Sequence, residues 1–399
     1  MITGNQFELD VYTNSSHRLD AVPGWRPLSK YKIIEIALFC IQGFMQYVSG
    51  QVLTAEGFRD GHVGFEDGIV REVGRGKAPE SVAEGLILPT FVNAHTHIAD
   101  FVVPIDLSLT LAEVVAPPNG LKYRILSQTS EGKQRDAIAR LSETMFRKGI
   151  SAFSDFREGG VEGAKLMTSA QWARPYVLGK PRMPRFDREE IDALLDLTEG
   201  IGPSAIADWD YEELRELSAH VRSRGKVFAL HCSERVREDL DKVLDLRPSY
   251  LIHMTQATDA DLEVCAQQNV PVVVCARSNL FFGMTPPLAR MVKHGVTMAL
   301  GTDNAMISMP DLFVEMEFVG RLLRQQGMSR LDCVLSMVAS NGRKIINQSP
   351  LIEIEPDMPC DLMVVRSKHG DPLTDLVLRT AGEEPLWVCA GNKTWKGTR

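Results

Sequence analysis

Eight short apolar runs, most of them followed by a stretch of helical character, constrain this chain more than any other feature. They lie at 86–93, 150–156, 175–179, 205–208, 227–231, 250–253, 271–275 and 296–301. Most are continuous, as expected for parallel strands covered on both faces. Helical segments lie between most of them. One covers 134–148 and stops at Gly149, and another runs from about 210 to 224. The second has Asp208 or Asp210 as N-cap and Gly225 just past its end. A third follows Asp259, and a fourth spans 287–295. Eight strands alternating with helices predict an α/β fold: a (β/α)8 TIM-type barrel first, a doubly wound sheet second.

The two ends read differently. From Tyr47 onward, short alternating segments are punctuated by Gly57, Asp60-Gly61 and Asp67-Gly68, which is hairpin grammar. The same grammar returns at 361–365 and 386–390, with Gly391-Asn392 as a turn. The expected organisation is an N-terminal extension at 1–45, a small β-sandwich split between 46–90 and 348–399, and a barrel at 91–347. Residues 1 to about 45 show no clear periodicity before Ile33, and Met45 is a plausible start of the native chain.

Charge and cysteine content narrow the function. A formal net charge of -8 and a pI of about 5.7 argue against non-specific nucleic-acid binding. The seven cysteines form no Cys-x-x-Cys pair and are odd in number, as for buried thiols in a reducing compartment. The apolar run at 33–48 carries Glu35 and Gln42 and falls short of the ~20 residues of a spanning helix. A cytoplasmic enzyme is therefore expected, with no nucleic-acid or membrane partner.

A barrel builds its site at the C-terminal ends of its strands. The first strand run leads into His95-Thr96-His97, the fifth ends in His231, the sixth in His253, and Asp303 follows the eighth. Residues i and i+2 of an extended segment share a face, so His95 and His97 can grip one ion. Imidazole nitrogen and carboxylate oxygen suit zinc, with iron and manganese also accepted by such a set. Water on that ion would lose a proton near neutral pH. Each residue alone has a bland reading. His-x-His is often structural, His231 and His253 could be satisfied core histidines, and Asp303 could cap a helix. Their coincidence at four strand ends carries the metal reading. Glu234, three residues after His231, could shuttle protons if an apolar pocket raised its pKa; its bland reading is a first-turn glutamate on a helix dipole.

The run Leu88-Pro89-Thr90-Phe91-Val92-Asn93-Ala94-His95-Thr96-His97 resembles the opening metal motif of the amidohydrolase superfamily. Arg277-Ser278-Asn279-Leu280 and Leu300-Gly301-Thr302-Asp303-Asn304 resemble the later signature of its cytosine deaminase, adenosine-homologue deaminase and triazine chlorohydrolase branch. The resemblance runs from about Tyr47 to the C-terminus. It implies that His95, His97, His231 and Asp303 bind one divalent metal ion, and that Asp303 also takes a proton from the metal-bound water. It implies that His253 polarises that water or the developing oxyanion, and that Glu234 protonates a ring nitrogen and then the leaving group. Ile201-Gly202-Pro203-Ser204-Ala205 stands where relatives often carry a further substrate-binding histidine.

The expected activity is hydrolytic deamination of a small nitrogen heterocycle (nucleobase, nucleoside, pterin or triazine-like), with water as co-substrate and a homodimer as a possible assembly. The alternative is a binuclear hydrolase of cyclic amides or imides, for which Lys180, in a carboxylated form, would bridge two ions. A non-catalytic scaffold is the remote third reading. Arg182 and Arg185 could face an anionic substrate or could be solvated loop residues.

Overall fold

A computed structural model describes residues 45–346, 353–368 and 370–397. The extension expected at 1–45 lies outside these residues, Met45 aside.

The two ends of the chain meet in one seven-stranded mixed sheet. Its strands are β1 (Gln46–Thr54), β2 (Gly57–Glu66), β3 (Ile69–Arg75), β4 (Ala83–Pro89), β14 (Leu362–Val365), β15 (Trp387–Ala390) and β16 (Lys393–Lys396). Their order is β16-β15-β14-β4-β1-β2-β3. The β2–β3 turn uses Asp67 and Gly68 at φ +50° and +72°, the left-handed pair that a two-residue hairpin requires. A sandwich of two sheets was expected; a single sheet folds over instead. Phe65 of β2 packs on Trp387 of β15 with ring centroids 5.0 Å apart, although three strands separate them around the sheet. Val48, Val63, Val70 and Leu362 complete that core.

The second sheet is parallel and carries the site. It comprises β5 (Phe91–His97), β6 (Ile150–Arg157), β7 (Arg174–Gly179), β8 (Gly200–Ile201), β9 (Val227–Cys232), β10 (Tyr250–His253), β11 (Val272–Val274), β12 (Met298–Leu300) and β13 (Asp303–Asn304). β12 pairs with β11 while β13, two residues further on, pairs with β5, so a single pass of chain forms both edges of the sheet. The Asn93 side chain fastens this pass: its Nδ2 donates to Thr302 Oγ1 at 2.7 Å and its Oδ1 accepts from Thr302 N at 3.1 Å.

Alternation along the strands sorts side chains into two cores. Val92, Ala94, Tyr250, Ile252, Val273 and Ala299 fill the inside of the curled sheet. Phe91, Leu251, Val272, Val274 and Leu300 pack outward with the helices.

Two strand readings need correction. The run at 86–93 is divided by Thr90 between β4 of the folded sheet and β5 of the parallel sheet. The fourth parallel strand is Gly200–Ile201; Ile206–Asp208, expected as that strand, is a single 3-10 turn. The helices follow their caps. Asp210 accepts hydrogen bonds from the backbone of Glu212 and Glu213 and opens Tyr211–Ser223, with Gly225 at φ +66° just beyond. Among the described residues no helix is long and apolar enough to cross a membrane.

Candidate metal centre

The C-terminal ends of β5, β9, β10 and the β12–β13 pass converge. Ligand atoms of His95, His97 and His231 lie within 4.8 Å of one another, and so do those of His95, His253 and Asp303. His95 belongs to both groups, is fully buried, and neither of its ring nitrogens has a hydrogen-bond partner among the described residues. Its Nε2 lies 3.3 Å from Asp303 Oδ1, and His97 Nε2 lies 3.7 Å from the same oxygen. Burial holds the His95 and His231 imidazoles below their usual range and brings His97 down to about 3, so all three are neutral with lone pairs available. Neutral imidazoles around a buried carboxylate form a donor set that fits a divalent cation.

The supporting contacts fix which atoms face inward. His231 Nδ1 donates to the Pro203 carbonyl at 3.3 Å, which leaves Nε2 free. His97 Nδ1 lies 3.0 Å from both the Phe156 carbonyl and Glu158 Oε1, which likewise leaves Nε2. Asp155 Oδ2 accepts from Thr96 Oγ1 at 2.9 Å and Ile98 N at 2.7 Å, clamping the end of β5 that carries both histidines. Asp303 Oδ2 accepts from Ser278 Oγ at 2.5 Å. Burial pushes the Asp303 carboxyl up, but the closeness of His95 and His253 outweighs it and holds Asp303 well below the carboxylate range. His253 and Asp303 sit at φ +78° and +59°, a left-handed conformation that side chains other than glycine adopt at some energetic cost.

Glu234 lies in the loop after β9, where Ser233 at φ +49° turns the chain back toward the site. Its Oε1 is 3.4 Å from His253 Nε2 and accepts from Asn279 Nδ2 at 3.2 Å. The same amide nitrogen lies 3.0 Å from His253 Nδ1, so Nδ1 accepts and the imidazole proton sits on Nε2, toward Glu234. Burial raises the Glu234 carboxyl above its usual range. A cavity of about 210 Å³ opens over this group, walled in part by His97, His231, Glu234, His253 and Asp303.

All six residues singled out in the sequence are thus brought together. Several supporting groups were not foreseen. Ser278 and Asn279 lie in the quoted Arg277-Ser278-Asn279 motif, which was the available signal. Arg277 anchors the helix Ala276–Phe281, which carries both, by its Nε to Glu315 Oε2 at 2.5 Å. Lys122 and Glu158 gave no signal. Lys122, 2% exposed, places Nζ 2.7 Å from Glu158 Oε1, 3.1 Å from Asp100 Oδ2 and 3.5 Å from His97 Nδ1. Lys180 directly follows β7, the third strand of the parallel sheet, and its Nζ bonds Tyr123 Oη at 2.9 Å; it belongs to neither ligand group. Arg185 turns away to Asp187 at 3.7 Å. Cys232 is buried, and burial pushes its thiol up, away from the reactive thiolate.

The candidate site sits at the mouth of a parallel-stranded fold, on the C-terminal ends of its strands. The sequence profile of the Amidohydrolase family matches residues 86–391, and the chain belongs to that family. It is therefore an enzyme of hydrolytic carbon–nitrogen chemistry. A putative aminohydrolase of Methanothermobacter thermautotrophicus is 30% identical over 83% of this chain and 93% of its own length. A 5-methylthioadenosine/S-adenosylhomocysteine deaminase of Nitratidesulfovibrio vulgaris is 25% identical over 92% of both chains. Among solved structures, a zinc-bound adenosine deaminase from Xanthomonas campestris superposes with a TM-score of 0.70 at 18% identity, over 88% of this chain and 92% of the other. A zinc complex of atrazine chlorohydrolase from Arthrobacter aurescens gives 0.71 at 14% identity, over 88% and 95%. These likenesses give the TIM-type barrel fold.

Proposed function

We propose that the chain is a hydrolytic deaminase of a small nitrogen heterocycle, working with one divalent ion, zinc in the first instance. The ion would be held by His95, His97, His231 and Asp303. The observation that carries this reading is geometric: two carboxylates meet at one histidine beside the imidazole cluster, Glu234 with Oε1 3.4 Å from His253 Nε2 and Asp303 with its ligand oxygen within 4.8 Å of His95 and His253, with burial raising the Glu234 carboxyl. Zinc in the two structural neighbours named above, and deaminase names among the relatives, support it.

When bound, the ion supplies Lewis acidity that brings the pKa of water to about 7. The chain's own residues then divide the proton work. Asp303 accepts a proton from the attacking water. Glu234 holds a proton for the ring nitrogen next to the carbon under attack. His253 donates its Nε2 hydrogen bond to the oxygen that arrives on that carbon. The carbon–oxygen bond forms; the proton held at Asp303 passes to the departing amine, the carbon–nitrogen bond breaks and ammonia leaves. The second proton of the water, lost as the new carbon–oxygen bond becomes a carbonyl, returns to Glu234, so both carboxyl groups end as they began.

Elemental analysis of protein purified without added metal, run beside an ammonia-release screen of aminopurines, pterins, pyrimidines and triazines, tests this. About one ion per chain together with ammonia release is the expected result. Two ions per chain with no ammonia from any heterocycle would overturn it in favour of a binuclear amide or imide hydrolase.

A further inference from the structure

A second cavity of about 520 Å³ adjoins the one over the metal residues. Pro117, Lys180 and Ser204 wall both, so the two are adjoining lobes of one site. The inner lobe, at about 210 Å³, is below the ~300–1,000 Å³ of ordinary small-molecule sites, and the pair together falls within it. A substrate that fills the site therefore has a part beyond the ring under attack.

The outer lobe shows what that part is. Arg157, the last residue of β6, lines it and is 1% exposed. Its Nε bonds the Glu158 carbonyl at 3.0 Å, but its Nη1 is buried with no partner. The neighbouring carboxylate, Glu158, is already engaged by Lys122 at 2.7 Å and lies 3.8 Å from Arg157 Nη2. Trp209, on the same wall, also has an indole N–H without an acceptor. Buried donors of this kind are costly unless something accepts from them. At the mouth, Arg124 and Arg182 are exposed and close no ion pair among the described residues. The carboxylates beside them are occupied, Glu131 by Arg135 at 2.6 Å and Glu162 by Lys165 at 2.8 Å. The lobe thus presents, among the described residues, N–H donors without acceptors and more cations than acids, its buried carboxylate Glu158 being surrounded by Lys122, Lys180 and Arg157.

We propose that this lobe receives an anionic group, a phosphoryl or a carboxylate, carried as a substituent of the heterocycle. The substrate is then a charged heterocycle of nucleotide or acid-bearing type, not a bare base. The ring assignment rests on the deaminase reading; the anion site stands on the lobe itself.

Calorimetric titration of the metal-loaded enzyme with inorganic phosphate, and separately with succinate, tests the lobe without turnover. The variants are Arg157→Gln and the exposed pair Arg124→Ala/Arg182→Ala, with metal content measured in each. Saturable binding of one of the anions, weakened at least about tenfold in the exposed-pair variant with metal content unchanged, is expected. Should Arg157→Gln fail to fold, the exposed pair alone decides. No saturable binding of either anion, or equal binding in the exposed-pair variant, would overturn the proposal. So would equal kcat/KM for a heterocycle and its phosphorylated counterpart. If no heterocycle releases ammonia yet anion binding follows the arginines, the deaminase reading fails and the anion site stands.

Discussion

Replacing Lys122 with Met should destabilise the protein strongly, and more so in alkali. The Lys122 ammonium is buried against Glu158 at 2.7 Å and Asp100 at 3.1 Å. Removing one partner of a buried ion pair costs about 3–5 kcal/mol, because the other charge is left without compensation. The two carboxylates would not suffer equally. Glu158 keeps Lys180 at 3.6 Å and Arg157 at 3.8 Å. Asp100 has Lys122 as its ion-pair partner among the described residues, but burial has already raised its carboxyl to about 7, so it can take up a proton. The expected loss is therefore at the low end, about 3 kcal/mol at pH 8. The sign of the pH effect follows from Asp100. Its folded pKa lies above the unfolded 3.8, so the folded state binds more protons between the two values and stability falls as pH rises through that window. Without Lys122 the folded value climbs further and the fall extends to higher pH. Glu158 acts in the same direction, since Lys122 helps hold it well below its usual range and that stabilisation is present above its unfolded pKa. Equilibrium urea unfolding of metal-loaded wild type and variant at pH 5 and pH 8 measures the difference. A loss below about 1 kcal/mol, or the same loss at both pH values, would refute the reasoning.

Glu234→Gln should keep its metal, since Glu234 is in neither ligand group, and lose about 10²–10⁴ in kcat for ammonia release. A large loss of bound metal in that variant would make Glu234 a ligand and not a proton carrier. Asp303→Ala and His95→Ala should each lose both metal and turnover; near wild-type rates in either would put the site elsewhere. Ser278→Ala removes the 2.5 Å hydrogen bond that orients Asp303 and should lower kcat or metal affinity about 10- to 100-fold with the fold intact by circular dichroism. An unchanged rate and affinity would mean that the strand end alone positions Asp303.

Much of this was legible in the sequence because it depends on strand ends and short spacings. His95 and His97 are two apart on one strand, and His231, His253 and Asp303 each end or follow an apolar run, so period and position were enough to collect them. Asp210, Gly149 and Gly225 marked helix ends through backbone demands that few residues meet. The fourth strand was misplaced because Gly200–Ile201 is too short to show a pattern, while the apolar Ile206 imitated one. The folded-over β sheet was read as two sheets because its hairpin grammar records turns and not curvature. The Lys122–Glu158–Asp100 cluster was invisible for another reason. Lys122 sits between Leu121 and Tyr123 in the short helix Leu121–Gln128, and Glu158 directly follows a strand, so only the barrel's curvature brings them to His97.

The pass from β12 to β13 has a consequence for how the protein comes into being. Asn93 and Thr302, which fasten the ring, are 209 residues apart in the chain, and His95 and Asp303 are their near neighbours. Closing so long a loop is an entropic cost that falls at a single step. No fragment ending before Asp303 can assemble the four ligands proposed above, so a ribosome-bound chain would carry only the histidine part of them. An ion that prefers all four ligands is then a selective stabiliser of the closed ring, and its uptake would report the moment at which the last strand reaches the first.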